Sequence, residues 1–377
     1  MQISRSGIYR KILVYVFGSL GDNIVSIPSL RALRQNFPQA ELVVLQNVQK
    51  AMPVRASEVL PSELVDRYLE YSGDVRGIEK VAHFAGLWYR LRKEKFDAVV
   101  YLAISERPER SVVRDRSFFR SCGIRQLFGF HALPFDELYP SDYDGRPAPV
   151  ATEAVRRLLR IERDGIQIDL AREMATPWIS YGPAELEVAR TWLSGHRRFP
   201  GGRLIAISPG CKTEANQWPE SRFGELGNRI VAGGGTDLVV IGGEADRAAA
   251  ERLTREWTSG IDAAGIFSVR ASGALLSLCD AYIGLDTGST HLAAASGTPC
   301  FAIFGERNHP GQWFPAGPMS HMVRHPVPCS GCRRQVCPVE GHPCLTGISV
   351  DTAWKELQNF LLDVHEGTKK GLNAVCV

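Results

Sequence analysis

The sequence predicts an α/β protein of two domains, each built on a parallel sheet, and three observations carry that expectation. At 377 residues the chain is long enough for two cores of ordinary size. An apolar run, a glycine-bearing turn and an amphipathic stretch follow one another from Lys11 to Leu45, and the alternation begins afresh at Arg203. Between Asp280 and Gly305 a short apolar strand (Tyr282 to Leu285) leads into the turn Asp286-Thr-Gly-Ser-Thr, an Ala-rich helix ended by Gly297, and a second strand from Cys300 to Phe304. Strand–helix–strand units of this kind build parallel sheets.

Taken in order, Lys11 to Phe17 is a strongly apolar strand. Gly18-Ser-Leu-Gly-Asp-Asn turns it into a helix from about Ile24 to Asn36, with Ile24, Ile27, Leu30 and Leu33 at helical spacing and Pro28 as an irregularity. Phe37-Pro38 stops that helix, and Glu41 to Leu45 is the next strand. Strands are expected at Arg67 to Tyr71, Ala98 to Leu102 and Gln126 to Phe130, with helices over Ile78 to Lys95 and Val112 to Cys122. Pro134 to Pro149 reads as a surface loop, the helix Thr152 to Arg163 closes the first domain, and Ile166 to Tyr181 is the linker. In the second half, strands at Leu204 to Ile207, Asp237 to Ile241 and Ile261-Asp262 alternate with helices at Glu220 to Val231, Ala245 to Trp257 and Ser272 to Cys279. A last helix runs from Val350 to Val364. The domains so drawn are residues 1–178, 179–350 and a C-terminal helix and tail, 351–377.

Composition narrows the function class. Hydrophobic content of 44% and charged content of 23% fit a soluble globular chain. No run of about 18 apolar residues offers a membrane-spanning helix, and the N-terminus lacks the apolar core of a signal peptide, so a cytoplasmic location is expected. A net charge of +3 gives no argument for nucleic acid. The basic residues do cluster: Arg107, Arg110, Arg114, Arg116, Arg120 and Arg125 stand against Glu106, Glu109 and Asp115. A solvated helix face and a site for an acidic or phosphorylated acceptor both account for that run.

The turn at Asp286 is the chemically dense place. A helix N-terminus preceded by small residues offers free N–H groups and a positive dipole end to an anion such as a diphosphate. A helix cap and a satisfied core histidine would explain Asp286, Ser289 and His291 more plainly, but one turn here gathers a carboxylate, hydroxyls, glycine-freed amides and an imidazole. The turn Gly18-x-x-Gly-Asp lacks the full G-x-G-x-x-G spacing, which disfavours a dinucleotide-binding dehydrogenase.

The stretch Asp286-Thr-Gly-Ser-Thr-His, together with Gly18-Ser-Leu-Gly21-Asp22 followed by Pro28-Ser-Leu-Arg-Ala-Leu33, Ser208-Pro-Gly before Trp218-Pro, and Gly-Gly-Glu244, resembles glycosyltransferase family 9, the ADP-heptose:lipopolysaccharide heptosyltransferases. The resemblance covers most of the chain and is strongest at residues 11–45 and 203–350. It implies the two-lobed GT-B fold, two Rossmann-like doubly wound domains facing a central cleft, with the acceptor on the first and the nucleotide sugar on the second. On that basis Asp22 is the expected general base of an inverting transfer, since such a step needs a group to take the proton of the attacking hydroxyl. A helix cap is the plainer role for the same residue. Gly21, Ser208, Lys212, Glu244, Asp286, Thr287, Gly288 and His291 are expected at the donor, and Arg107, Arg110 and Arg114 at an acidic glycan acceptor. The family's lysine two residues before the tryptophan is Asn216 here, which leaves Lys212 as the candidate phosphate partner. ADP-heptose is the implied donor, with contact at the inner membrane face; another nucleotide sugar, given to a secondary metabolite or a protein, remains open.

Cys329, Cys332, Cys337 and Cys344 have the spacing C-x2-C-x4-C-x6-C, with His325 and His342 nearby. That inventory suits a structural zinc or iron ion; free thiols or disulfides are the alternatives, the latter disfavoured in a cytosolic chain. No cofactor is required for catalysis, because dipoles and basic groups suffice to hold a diphosphate. A metal-sensing or nucleic-acid-binding module is the reading from a different class. It is disfavoured because the cluster is short, lacks interleaved aromatics and sits inside the fold.

Overall fold

The computed structural model describes residues 9–50, 54–142, 147–317 and 319–374. Contacts divide the chain into one unit of residues 1–140 and 150–175 and a second of 141–149 and 176–377. The tail beyond residue 374 lies outside the described residues.

In the first unit, strands β1 (Lys11–Phe17), β2 (Glu41–Val48), β3 (Arg67–Ser72), β4 (Ala98–Leu102) and β5 (Gln126–Phe128) form one parallel sheet in the order β3-β2-β1-β4-β5. β1 lies centrally, with Lys11 opposite Glu41 on one side and Ile12 opposite Ala98 on the other. It is continuously apolar because both its faces are covered, as parallel strands require. One face packs Leu13, Tyr15, Leu45 and Val99 against Leu87 and Leu91 of helix Gly77–Glu94 and Phe119 of helix Glu109–Ser121.

The expected single helix after β1 is two, Leu20–Ile24 and Ile27–Asn36. Pro28 explains the break: it lacks an N–H and is accommodated only in the first turn of a helix, so the chain restarts around it. Helices Phe135–Leu138 and Leu170–Met174 occupy stretches expected to be loop and linker.

The second unit carries β6 (Arg203–Ile207), β7 (Thr236–Val240), β8 (Gly260–Asp262), β9 (Ala281–Leu285), β10 (Cys300–Phe304) and β11 (Ser320–Arg324), all parallel, in the order β11-β10-β9-β6-β7-β8. In both sheets the chain begins centrally, winds outward in one direction, then returns to the other side of its first strand. That reversal falls between β1 and β4 in the first sheet and between β6 and β9 in the second. Such switch points leave a crevice at the carboxyl ends of the strands, the usual ligand position in open α/β sheets. Helix Pro183–Ser194 precedes β6. The final helix, Val350–Ala374, buries Val350, Ala353, Leu357, Phe360 and Val364 in the second unit's core. Among the described residues no helix is long and apolar enough to cross a membrane.

Candidate functional site

At the switch point of the second sheet the chain leaves β9 as Asp286-Thr287 and enters helix Gly288–Ala295. Thr287 is the N-cap, its Oγ1 accepting from the amide of Ser289 at 3.2 Å. The remaining first-turn amides belong to small residues, so an anion can approach them closely. The turn is braced from below: Thr290 donates to the carbonyl of Leu285 at 2.5 Å and lies 3.1 Å from the Tyr282 hydroxyl. His291 is buried on the same helix, its ring edge-on to Trp313 at 6.0 Å. Ser208, at the end of the neighbouring β6, is buried and its amide donates to Ile283 in β9. Ser208, Asp286, Thr287, Gly288 and His291 are therefore brought to one sheet edge. The thiol of Cys211 lies 3.7 Å from the Asp286 carbonyl, which carries the exposed Lys212 along the same loop. Glu244 follows β7, exposed and 3.3 Å from Arg247, on a short turn whose Asp246 abuts Gly210 of the loop after β6.

Asp286 is held by neutral groups. Its Oδ2 accepts from Asn308 Nδ2 at 2.7 Å and Asn216 Nδ2 at 3.1 Å. Burial pushes its carboxyl up to about 6, against the downward pull of Asn308, Arg307 and Asn216. Asn216 occupies the position where the family resemblance leads one to expect lysine, so an amide stands where an ammonium would have favoured the ionised carboxylate. Asn308 gave no signal in the sequence, since it lies on the loop after β10.

In the first unit the turn after β1 holds Gly21 and Asp22. Asp22 Oδ2 accepts from the amide of Ser19 at 2.8 Å and its hydroxyl at 3.1 Å. Oδ1 accepts from Arg157 Nη2 at 3.3 Å. Gly18, at φ +122, takes a conformation L side chains rarely adopt, and a Cβ there would strike the Asp22 carboxylate. The cap role of Asp22 is thus present, but a carboxylate has about four lone-pair sites and three are engaged. One is left for an incoming hydroxyl.

Arg157 is the residue that sequence reasoning missed. It is fully buried on helix Glu153–Glu162, pairs with the equally buried Glu153 at 3.0 Å, and donates to the Asp22 carbonyl at 2.8 Å and to Ser26 at 2.7 Å. Its only signal is a charged residue on the apolar stripe of that helix. Arg107 and Arg114 converge as well, though on a residue of the chain itself: both fork onto Asp115, which also accepts from the Tyr101 hydroxyl at 2.8 Å. Arg110 does not join them and is exposed on the same helix.

The four cysteines line one small cavity of about 10 Å³ together with His342, Glu306 and Arg307. Their segment is pinned to the loop after β10 by Gly331 and Arg333, whose amides donate to Glu306 and Arg307. Burial raises the Cys344 thiol, with Cys337 and Cys329 adding to the effect. Thiols thus gather as a metal site needs, yet among the described residues no three possible ligands stand in a coordinating arrangement.

Comparison with known proteins agrees with this geometry. Over 202 residues the chain is 25% identical to lipopolysaccharide heptosyltransferase 1 of Pseudomonas aeruginosa, a match spanning 52% of this chain and about half, 55%, of that protein's length. It is 24% identical to lipopolysaccharide heptosyltransferase 3 of Escherichia coli, over 77% of this chain and 82% of that protein. The crystal structure of a family 9 glycosyl transferase from Veillonella parvula superposes with a TM-score of 0.71 at 17% identity, covering 96% of this chain and 99% of that one, which makes the fold the GT-B arrangement. The model of glycosyltransferase family 9 (heptosyltransferase) matches residues 148–342, just over half of the chain, from the end of the first unit through the Asp286 turn to the cysteine segment, and the chain belongs to that family.

Proposed function

We propose that the chain is an inverting transferase that moves a heptose, or a related sugar, from a nucleotide sugar to a hydroxyl of an acidic or phosphorylated glycan, with ADP-heptose as donor and the lipopolysaccharide inner core as the type of acceptor. The observation that carries this reading is the Asp286–Gly288 turn at the second sheet's switch point, where small-residue amides at a helix N-terminus present positive charge to a diphosphate. Family membership and the names of the relatives support heptose over other sugars.

On this reading the helix N-terminus and Lys212 stabilise the negative charge that grows on the departing diphosphate, where fixed dipoles need no reorganisation as the bond breaks. Asp22 takes the proton of the attacking hydroxyl through its remaining lone pair, and Arg157 fixes the carboxylate's rotamer from behind. The enzyme works in the cytoplasm, meeting acceptors at the inner membrane face. The cysteine segment holds a zinc or iron ion that folds residues 326–346 and takes no part in transfer.

A panel of nucleotide sugars tested by thermal shift decides between donors, since a ligand at 100 times its dissociation constant adds about 2.7 kcal/mol of stability. ADP-heptose is expected to stabilise most, with ADP next. Stabilisation by uridine or guanosine sugars alone would point instead to a transferase of a different donor.

A further inference from the structure

The first unit contains a cavity of about 440 Å³, lined in part by the Arg107–Asp115–Arg114 cluster. It lies at the carboxyl ends of β1, β2 and β3, roofed by helices Gly77–Glu94 and Glu109–Ser121, and its volume is that of a small-molecule site. Its wall is aromatic: Tyr15, Phe17, Tyr71, Phe84, Phe118 and Phe119 all face it. These rings pack edge-on in sequence, Tyr71 to Phe84 at 5.8 Å, Phe84 to Phe118 at 6.2 Å and Phe118 to Phe119 at 5.6 Å. The Tyr15 and Tyr71 hydroxyls bond to each other at 2.7 Å, and burial keeps both phenols neutral, with Tyr71 pushed up to about 12. A flat apolar body gains both area and ring contacts against such a wall.

The charge on the lining is not balanced. Lys80, Arg107 and Arg114 face only Asp115, and both oxygens of Asp115 are already taken by the two arginines. Lys80 is exposed and makes no ion pair with a described residue. Asn47, 6% exposed at the end of β2, also lines the cavity, its amide packed against Gly73.

We propose that this cavity binds a small amphiphilic anion, a flat aryl or cyclic apolar body carrying a carboxylate, sulfonate or phosphate that Lys80 meets at the rim. If the transferase reading holds, the occupant is an apolar, acidic part of the acceptor, because Phe17 directly precedes the turn that carries Asp22. The site itself does not depend on that reading.

The test is direct binding of 8-anilinonaphthalene-1-sulfonate to the folded full chain, followed by fluorescence. One dye per chain is expected. The uncharged N-phenyl-1-naphthylamine should bind at least tenfold more weakly, and Lys80→Glu should weaken the sulfonate at least tenfold while leaving the thermal midpoint and ADP affinity unchanged. Several dyes per chain, equal affinity for the charged and uncharged probes, or full binding by K80E would each overturn the proposal. So would displacement of the dye by ADP, which would place it at the Asp286 turn. Because ADP binding is measured separately on the same variant, failure of the donor reading and failure of this one are distinguishable.

Discussion

Ionisation of Asp286 should couple both the stability of the second unit and its nucleotide affinity to pH. Its carboxyl rises from 3.8 to about 6, chiefly through burial. Between about pH 4 and pH 6 the native state therefore keeps a proton that the unfolded chain has released, so stability falls as pH rises through that window. Two units correspond to about 3 kcal/mol, fully lost by pH 7.5. Asp286→Asn cannot ionise, so it should be more stable than the parent at pH 7.5 by up to about that amount, and no more stable near pH 3.5. A diphosphate next to the carboxyl makes the charged form costlier still. With a group at about 6, the protonated fraction falls from roughly three quarters at pH 5.5 to roughly 3% at pH 7.5, so ADP affinity should drop up to about 25-fold across that interval. The variant should show little of this drop, and Asn216→Lys should also flatten it by returning an ammonium to Asp286. Urea unfolding and ADP calorimetry at the two pH values provide the readings. If Asp286→Asn keeps the parent's pH dependence, or binds ADP more weakly at both pH values, Asp286 is an ionised donor ligand and the argument fails.

Asp22→Asn should bind the nucleotide sugar as the parent does and lose about 10²- to 10⁴-fold in kcat; near-parental turnover at saturating substrates would leave Asp22 as a cap alone. Arg157→Met strands the buried Glu153 carboxylate and should cost about 3–5 kcal/mol in denaturant unfolding, with Arg157→Met/Glu153→Leu recovering much of it; a single variant within about 1 kcal/mol of the parent would show the pair to be incidental. Protein purified under reducing conditions should carry about one zinc or iron per chain, and Cys332→Ser should lower stability more than it lowers donor affinity; metal-free protein with four freely titrating thiols would remove the site.

What the sequence made legible was whatever local pattern encodes. β1, β6, β9 and β10 are apolar runs because both faces of a parallel strand are covered, and each was visible as such. β11 was not, because as the outermost strand it buries only Val323 among Ser320–Arg324. Helix Pro183–Ser194 escaped for the same reason, with only Ala189 and Leu193 buried. The Asp286 turn was readable from its own residues. Its electrostatics were not, since they rest on Asn308, 22 residues away, and the Asp22 turn depends on Arg157, 135 residues away. The arginine run misled in another way: spacing showed charge density, while the structure shows two of those side chains already committed to Asp115.

Helix Glu153–Glu162 buries charge beside an ordinary apolar face of Ala154, Leu158 and Ile161. Arg156, Arg157 and Arg160 point inward while Leu159 is exposed to solvent. Arg160 donates to the carbonyls of Tyr101, Ala103 and Gly129, and Arg156 to those of Glu137 and Leu138. A guanidinium leaves water cheaply only where such oxygens are already in place, and this array exists only once β4 and the turn after β5 have formed. The helix is thus expected to dock late in folding, a clasp that closes over a finished sheet. Its amides should exchange with solvent through openings of lower free energy than those of β1 and β4. Because the same clasp grips Asp22, docking of this helix is also what sets the orientation of the unit's candidate base.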